Sequence, residues 1–200
     1  MNKDIYSLNK KITKEDINKL PLNAYTGEIV LVDSDVVVID ALEALSRESL
    51  LGFDTESKPV FKKGVANNPP SLLQLASEST VYLFQLGKLT DHAPIFDLLC
   101  NKSIIKAGVA IDDDIVKLRL MHEFTPEGFI EIGNMATELG MINTGVRSLA
   151  AILFQFRISK NVQVSNWAKS ELSESQISYA ATDAWVSRKI YLALNEMLSR

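Results

Sequence analysis

Hydrophobic and polar positions follow two different periods along this chain. An alternating or continuously apolar pattern, typical of β-strands, recurs in six segments: 28–33, 50–56, 72–76, 80–86, 103–107 and 129–132. An apolar position every three or four residues, typical of amphipathic helices, marks 13–20, 36–48, 94–100 and 112–121. The chain from 135 to 200 also has a helical pattern, with breaks near 143–145 and 159–165. Strands that alternate with helices predict an α/β fold.

The same pattern divides the chain into an N-terminal extension over 1–26 and one domain over 27–200. The extension is polar and rich in lysine, and its single helical stretch ends before Pro21. The segment 57–70 combines proline, glycine and asparagine, which predicts a loop. The strands at 72–76 and 80–86 are separated by three residues, a spacing that predicts a hairpin.

Composition narrows the class of protein without identifying it. A chain of 200 residues with 46% hydrophobic and 23% charged residues is globular, not collagen-like, disordered or coiled-coil. Apolar runs such as 149–154 are far shorter than the ~20 residues that cross a bilayer. The first residues do not resemble a signal peptide, and the lone Cys100 fits a reducing compartment, so we expect a cytoplasmic protein. The net charge of −4 argues against a broad basic face, but it allows an enzyme that uses bound cations.

Three groups of acidic residues occur at the ends of predicted elements or on a predicted helix. Asp54 and Glu56 lie two apart on a strand and point to the same face, where a hard divalent cation would relieve their repulsion. The aspartates at 112–114 open a helix, where acids also cap free amides. Tyr179 and Asp183 lie four apart on a helix and share a face. Taken singly, each group has a structural alternative: a chance pair, a cap, or a surface acid beside a core tyrosine.

The segments that hold these residues carry a family resemblance when they are taken together. They are GFDTE at 52–56, KAGVAIDDDIVKL at 106–118 and YAATDA at 179–184. In order and residue type they resemble the three exonuclease motifs of the DEDD superfamily. The tyrosine four positions before the last aspartate is typical of the tyrosine branch, which includes ribonuclease D and the Werner-syndrome helicase exonuclease domain. The segment 165–167, with Leu172 and Gln176 after it, is similar to the same proteins.

The resemblance implies a fold, an activity and a set of site residues. The fold would be ribonuclease H-like, with a mixed five-stranded sheet flanked by helices, and the activity would be 3′→5′ removal of nucleotides. The metal ligands would be Asp54, Glu56, Asp114 and Asp183, and these four and Tyr179 would be the catalytic residues. Two Mg²⁺ or Mn²⁺ ions would balance the four carboxylate charges and act by a two-metal-ion mechanism.

Two of these assignments rest on further detail. Asp114 is chosen among the adjacent aspartates because the family's residue is followed four positions later by an apolar one, here Leu118. The aspartates at 112–113 are left as capping or supporting groups. Tyr179 is expected to orient the attacking water and not to deprotonate it, because a phenol has a pKa of about 10. The histidine branch of the superfamily would need a histidine near Asp183, and both histidines are far from it in sequence.

The residues that follow the first acidic pair predict contacts with nucleic acid. Lys58, Lys62 and Lys63 would reach backbone phosphates, and Phe61 would stack on the terminal base; a solvated charge cluster is the alternative. The expected partner is single-stranded or 3′-ended DNA or RNA, not a membrane. Two other functions stay open: a catalytically weak nucleic-acid-binding module, and a nucleotide phosphatase, against which the lack of a Walker-type loop argues. The sequence resembles the exonuclease domain alone, without helicase or additional nucleic-acid-binding domains.

Overall fold

The computed structural model describes residues 10–61, 64 and 68–200, and these form one mixed β-sheet with helices on both faces. The six strands are β1 (Glu28–Val32), β2 (Leu50–Ser57), β3 (Pro70–Ala76), β4 (Thr80–Gln85), β5 (Ile105–Gly108) and β6 (Phe129–Glu131). Their order in the sheet is β1-β4-β3-β2-β5-β6. Strand β3 is antiparallel to β2 and β4, and the other neighbouring strands are parallel.

The predicted α/β class is confirmed, whereas the predicted count of five strands is wrong. All six segments with a strand pattern pair in the sheet, because both edge strands form regular parallel ladders. Strand β1 pairs with β4 over five residue pairs, and β6 pairs with β5 over three. The hydrophobic pattern therefore predicts the correct number of strands, six, whereas the family resemblance implies only five.

Helices cover both faces of the sheet. They are α1 (Lys14–Lys19), α2 (Asp35–Leu45), α3 (Ala93–Leu99), α4 (Ile111–Arg119), α5 (Ile132–Glu138), α6 (Val146–Phe154) and α7 (Glu174–Leu198). Helices α2, α3 and α4 pack on one face in a core around Phe53 and Phe84, and α5, α6 and α7 pack on the other around Leu50, Leu83 and Ile190. Among the described residues, no helix is both long and apolar enough to cross a membrane.

The long helical stretch that the sequence predicts has a wider break than expected. Helix α6 ends at Phe154 because Gln155 adopts the left-handed conformation with a φ of 59°. No helix forms between 155 and 173, where the prediction placed a break only at 159–165. Helix α7 begins where Ser173 and Gln176 form a reciprocal capping box. The segment 155–173 is thus an irregular connection, and it runs along the edge of the cleft described below.

Helix α7 crosses the sheet in very close contact with β2. A Cβ atom added at Gly52 would lie 1.9 Å from the carbonyl oxygen of Ala184. Ala180, Ala181 and Ala184 are completely buried, so only small side chains separate the helix from the sheet. The small side chains of α7 therefore let the helix pack directly on the sheet, and this contact sets the distance between α7 and β2.

The described part of the predicted N-terminal extension, residues 10–26, packs against the domain. The backbone N–H and Nε of Arg157 donate to the carbonyl oxygens of Pro21 and Leu20, and its own carbonyl accepts from Asn23. Helix α1 begins after Thr13, whose hydroxyl accepts a hydrogen bond from the Asp16 N–H. This segment therefore lies on the folded domain in a defined position.

Candidate active site

Two carboxylates on β2 meet a third on α7 where the helix crosses the sheet. Asp54 and Glu56 alternate with Phe53 and Thr55 along β2, so both acids face α7. One carboxylate oxygen from each of Asp54, Glu56 and Asp183 lies within 4.8 Å of the other two. The structure thus brings together three of the four residues that the sequence predicts as metal ligands.

Asp114, the fourth predicted ligand, approaches the same region from the other side of β2. It lies in the first turn of α4 and is buried, and its Oδ1 accepts a hydrogen bond of 2.7 Å from the Thr55 hydroxyl. The Nζ of Lys117 lies 3.9 Å from the same oxygen. Asp114 is therefore held beside the three carboxylates but outside their tight group, and its assignment as a metal ligand stays a prediction.

The two other aspartates of α4 lie in its first turn, where a negative charge interacts favourably with the helix dipole, but a different acid bonds to the free amides. Asp112 and Asp113 are exposed, and no side chain from the N-cap position bonds to the free amides of α4. Glu131 performs this function instead, because its Oε2 accepts from the Ile111 N–H at 2.9 Å. Its Oε1 accepts from the Gly133 N–H at 2.8 Å, so one carboxylate caps α4 and α5 together. Cross-strand topology, which the sequence pattern does not show, brings this residue to the helix.

Burial without a compensating cation shifts the acidity of the cluster strongly. Burial, reinforced by the charges of Asp183 and Asp114, raises the pKa of Glu56 to about 8. Burial also raises the pKa of Asp183 to about 7, although Tyr179 and Arg147 act in the opposite direction. The pKa of Asp54 is raised well above its usual range by burial and by its acidic neighbours. Oxygen ligands that are this crowded and this poorly neutralised fit a hard divalent cation such as Mg²⁺ or Mn²⁺.

We expect the metal-free protein to lose stability as the pH rises from about 4 to about 8. Carboxyl groups in the unfolded chain ionise near pH 4, whereas Asp183 and Glu56 hold protons in the folded state up to pKa values of about 7 and about 8. The folded state binds more protons in this window, so its free energy of unfolding falls with pH. Thermal melts in EDTA across this range measure the effect, and Mn²⁺ should restore the melting temperature most near pH 8. A melting temperature that rises over the same range would contradict this account.

Tyr179 combines a core position with a polar end in the site. Its ring is buried and packs against Trp167 with 5.9 Å between the ring centroids. Its hydroxyl lies beside the Asp183 carboxylate, and burial together with that acid raises the pKa of the phenol further above its usual value. The hydroxyl is therefore neutral at physiological pH and can donate a hydrogen bond to a molecule in the cleft. Trp167 is almost completely buried and acts as a packing residue for this ring.

The three carboxylates and Tyr179 line a cleft of about 400 Å³ that also has basic walls. Lys14 from α1, Arg147 from α6 and Lys160 from the segment 155–173 contribute to its lining. Sequence reasoning missed all three of these cations. One signal was available for Arg147: it lies in the first turn of a helix, where the helix dipole disfavours a positive charge. Lys14, the first residue of α1, carries the same signal, and it reaches the cleft through tertiary packing.

The predicted nucleic-acid-binding residues lie elsewhere or outside the described part of the chain. Lys58 lines a second groove, of about 480 Å³, together with Lys88, Trp167 and Lys169. Phe61 is 85% exposed, in the loop after β2. Lys62 and Lys63 fall outside the described residues. The roles of these four residues toward nucleic acid stay predictions.

Comparison with known proteins identifies the family to which this fold and this acidic cluster belong. A family model described as 3′-5′ exonuclease matches residues 29–199, and the chain therefore belongs to this 3′-5′ exonuclease family. The match covers the predicted domain almost completely. It confirms the resemblance on which the sequence analysis relied.

Curated relatives agree with this assignment. The chain is 31% identical over 191 residues to the mouse bifunctional 3′-5′ exonuclease/ATP-dependent helicase WRN, an alignment that covers 90% of this chain and 14% of the relative. It is 27% identical over 172 residues to a 3′-5′ exonuclease of Arabidopsis thaliana, covering 81% of this chain and 58% of the relative. It is 26% identical over 172 residues to ribonuclease D of Haemophilus influenzae, covering 85% of this chain and 42% of the relative. The chain thus spans from 14% to 58% of the length of these relatives.

Solved structures confirm the ribonuclease H-like fold. The EXO domain of Aedes aegypti Nibbler superposes with a TM-score of 0.79 at 23% identity, covering 88% of this chain and 93% of that domain. Ribonuclease D of Escherichia coli superposes with a TM-score of 0.71 at 22% identity, covering 84% of this chain and 46% of that protein. At these sequence identities the superpositions show that the fold is shared, and nothing more.

Proposed function

We propose that this protein is a metal-dependent 3′→5′ exonuclease that hydrolyses phosphodiester bonds of DNA or RNA from the 3′ end. The observation that carries the proposal is the convergence of Asp54, Glu56 and Asp183 in one cleft of a chain that belongs to the 3′-5′ exonuclease family. The cleft also has cationic walls, which fit an anionic polymer. The names of the relatives include a helicase-linked exonuclease and a ribonuclease, and the proposal accordingly covers both DNA and RNA.

The donor set of the cleft fits Mg²⁺ or Mn²⁺. Asp54, Glu56 and Asp183 would hold the metal, with Asp114 as the predicted fourth ligand. Divalent ions bound there would supply the positive charge that stabilises the phosphate in the transition state and lowers the pKa of the attacking water. The raised pKa values of Asp183 and Glu56 mean that the empty cluster holds protons at neutral pH, so metal binding would release protons.

Two further residues of the chain would act directly on the reactants. The Tyr179 hydroxyl, neutral and anchored by a buried ring, would donate a hydrogen bond that orients the attacking water or the phosphate oxygen. The guanidinium of Arg147 lies close enough to lower the pKa of Asp183, and its Nε donates to the Ile158 carbonyl at 3.2 Å. Arg147 is thereby fixed where it would neutralise charge at the scissile phosphate.

We expect cleavage to depend completely on a divalent metal. A labelled single strand of DNA or of RNA, incubated with the protein and Mg²⁺ or Mn²⁺, should give a ladder of products shortened from the 3′ end. EDTA should stop the reaction, because without divalent ions the cleft lacks the positive charge that would stabilise the phosphate and lower the pKa of the attacking water. A gel shift without shortened products would support the binding-module alternative instead. Undiminished cleavage in EDTA would contradict metal dependence.

We expect Tyr179→Phe to lower the rate of cleavage by about 10²–10⁴-fold, the usual range for one positioned catalytic group. The substitution keeps the ring and its contact with Trp167 but removes the hydroxyl that faces Asp183. The melting temperature should therefore stay nearly unchanged. Full activity with a lowered melting temperature would show that the hydroxyl serves only the core. Steady-state rates and thermal melts on the same preparation separate the two results.

A further inference from the structure

The cleft contains basic side chains that form no ion pair with its carboxylates. Asp54, Glu56 and Asp183 are the acids among its described lining residues, and Lys14, Arg147 and Lys160 are the bases. None of these three bases takes part in an ion pair among the described residues. A cation without a protein partner at the edge of a cleft is available for an anionic ligand.

Lys14 belongs to a part of the chain outside the match to the exonuclease family. It is the first residue of α1, whereas the family model begins at residue 29. Lysine at this end of a helix is disfavoured by the helix dipole, so it adds nothing to the stability of α1. Its place in the cleft therefore needs another explanation.

Helix α1 is held firmly enough to position a side chain. Ile17, also in the lining of the cleft, is only 5% exposed and anchors the helix from beneath. Before the helix, the Ile12 N–H donates to Oδ1 of Asn143 at 3.0 Å. After the helix, Arg157 binds the carbonyls of Leu20 and Pro21. Anchors on both sides of α1 fix the backbone of Lys14 relative to the cleft.

Arg147 and Lys14 lie at different depths relative to the carboxylates. The charge of Arg147 lowers the pKa of Asp183, so its guanidinium lies near that carboxylate. Arg147 is half-buried and Lys14 is exposed. The two cations therefore fit two successive phosphates of a strand whose scissile bond lies at the carboxylates.

We propose that helix α1 is part of the substrate-binding site, and that Lys14 binds the backbone phosphate next to the scissile one. This inference rests on the proposed function, because it takes the carboxylate cluster as the place of cleavage. It makes helix α1, through Lys14 and Ile17, a wall of the cleft that recognises the polyanionic backbone of a single strand. Since a lysine contacts phosphate and not base, the contact adds affinity without sequence preference.

Binding measurements on matched lysine variants test the proposal. Lys14→Gln removes the charge, Lys14→Arg restores it, and Lys19→Gln is the control because Lys19 lies on the same helix outside the lining of the cleft. Fluorescence anisotropy with a labelled single strand in EDTA reports affinity without cleavage. Repeating it over a range of KCl concentrations gives the salt dependence, and melts confirm that each variant is folded.

We expect Lys14→Gln to weaken binding about three- to tenfold, which corresponds to one hydrogen bond of ordinary net strength, about 0.5–1.5 kcal/mol. The slope of log Kd against log salt should fall by about 0.7, the value for one phosphate contact on a single strand. With metal, KM should rise by a similar factor and kcat should change little. Lys14→Arg should restore the affinity, and Lys19→Gln should resemble the wild type. Equal behaviour of Lys14→Gln and Lys19→Gln, whether both weak or both unchanged, would overturn the proposal. Failure of the proposed function itself would show separately, as absence of cleavage by the wild type.

Discussion

Asp54→Ala is expected to abolish cleavage while the fold remains intact. Asp54 is one of three carboxylates whose oxygens lie within 4.8 Å of one another, so the substitution removes one of the three acids of the candidate metal site. The loss of several kcal/mol of transition-state stabilisation supplied at a metal site corresponds to a rate lower by about 10³-fold or more, at tenfold for each 1.36 kcal/mol. Single-turnover cleavage of a labelled strand with saturating Mn²⁺ measures the change. A rate within about tenfold of the wild type would show that Asp54 is no ligand.

The same variant should be more stable than the wild type when metal is absent. Asp54 is crowded by Asp183, Glu56 and Asp114, and its removal relieves that repulsion. A gain of about 1 kcal/mol would raise the melting temperature by about 2–4 °C for a domain of this size. Asp97→Ala is the matched control, because Asp97 is an exposed acid on α3 that lies outside the cleft. It should change neither the cleavage rate nor the melting temperature measurably.

Asp114→Asn is expected to lower the cleavage rate by about 10³-fold or more, if the rate loss follows the several kcal/mol of a lost metal contact. The amide can still accept the hydrogen bond from the Thr55 hydroxyl, so the local structure is kept. The substitution removes the negative charge beside the cluster. In the wild type this charge contributes to the raised pKa of Glu56. Metal titration followed by the rise in melting temperature should show weaker binding as well as slower cleavage.

Asp112→Asn is the control that separates Asp114 from its neighbours. Asp112 is exposed and supplies no cap, since Glu131 binds the Ile111 N–H, so the substitution should change stability by less than about 0.5 kcal/mol. It should also leave the rate unchanged. Equal losses in Asp112→Asn and Asp114→Asn would mean that the whole acidic turn, and not one ligand, supports the reaction.

Most of the fold was predictable from the sequence, because the period of the hydrophobic pattern distinguishes strands from helices. Helix α1 ends before Pro21, and the acidic pair lies near the end of β2, both as the sequence indicates. The strand count came out correctly from the pattern because both short edge strands are apolar on the faces that they bury. The irregular segment 155–173 was not predicted in full, since the left-handed Gln155 that starts it has no glycine to mark it.

The candidate site was predictable only where one element carries its residues. Asp54 and Glu56 on one strand, and Tyr179 and Asp183 on one helix, face the cleft as their spacings require. Lys14 and Arg147 reach the same cleft from elements far apart in the chain, and Glu131 caps a helix 20 residues away. Such relations depend on how elements pack, which periodicity does not encode. The position of Asp114 beside Thr55 is of the same kind.

The distribution of the site along the chain has a consequence for its synthesis on the ribosome. Helix α1 is made first, yet its anchor Arg157 follows more than a hundred residues later, and Asp183 belongs to the long helix made after that. Because α7 also covers β2 at Gly52, the carboxylates cannot meet until this helix has left the exit tunnel. A nascent chain therefore holds no assembled metal site. Under the proposed function, nuclease activity would arise only once translation has delivered almost the whole domain.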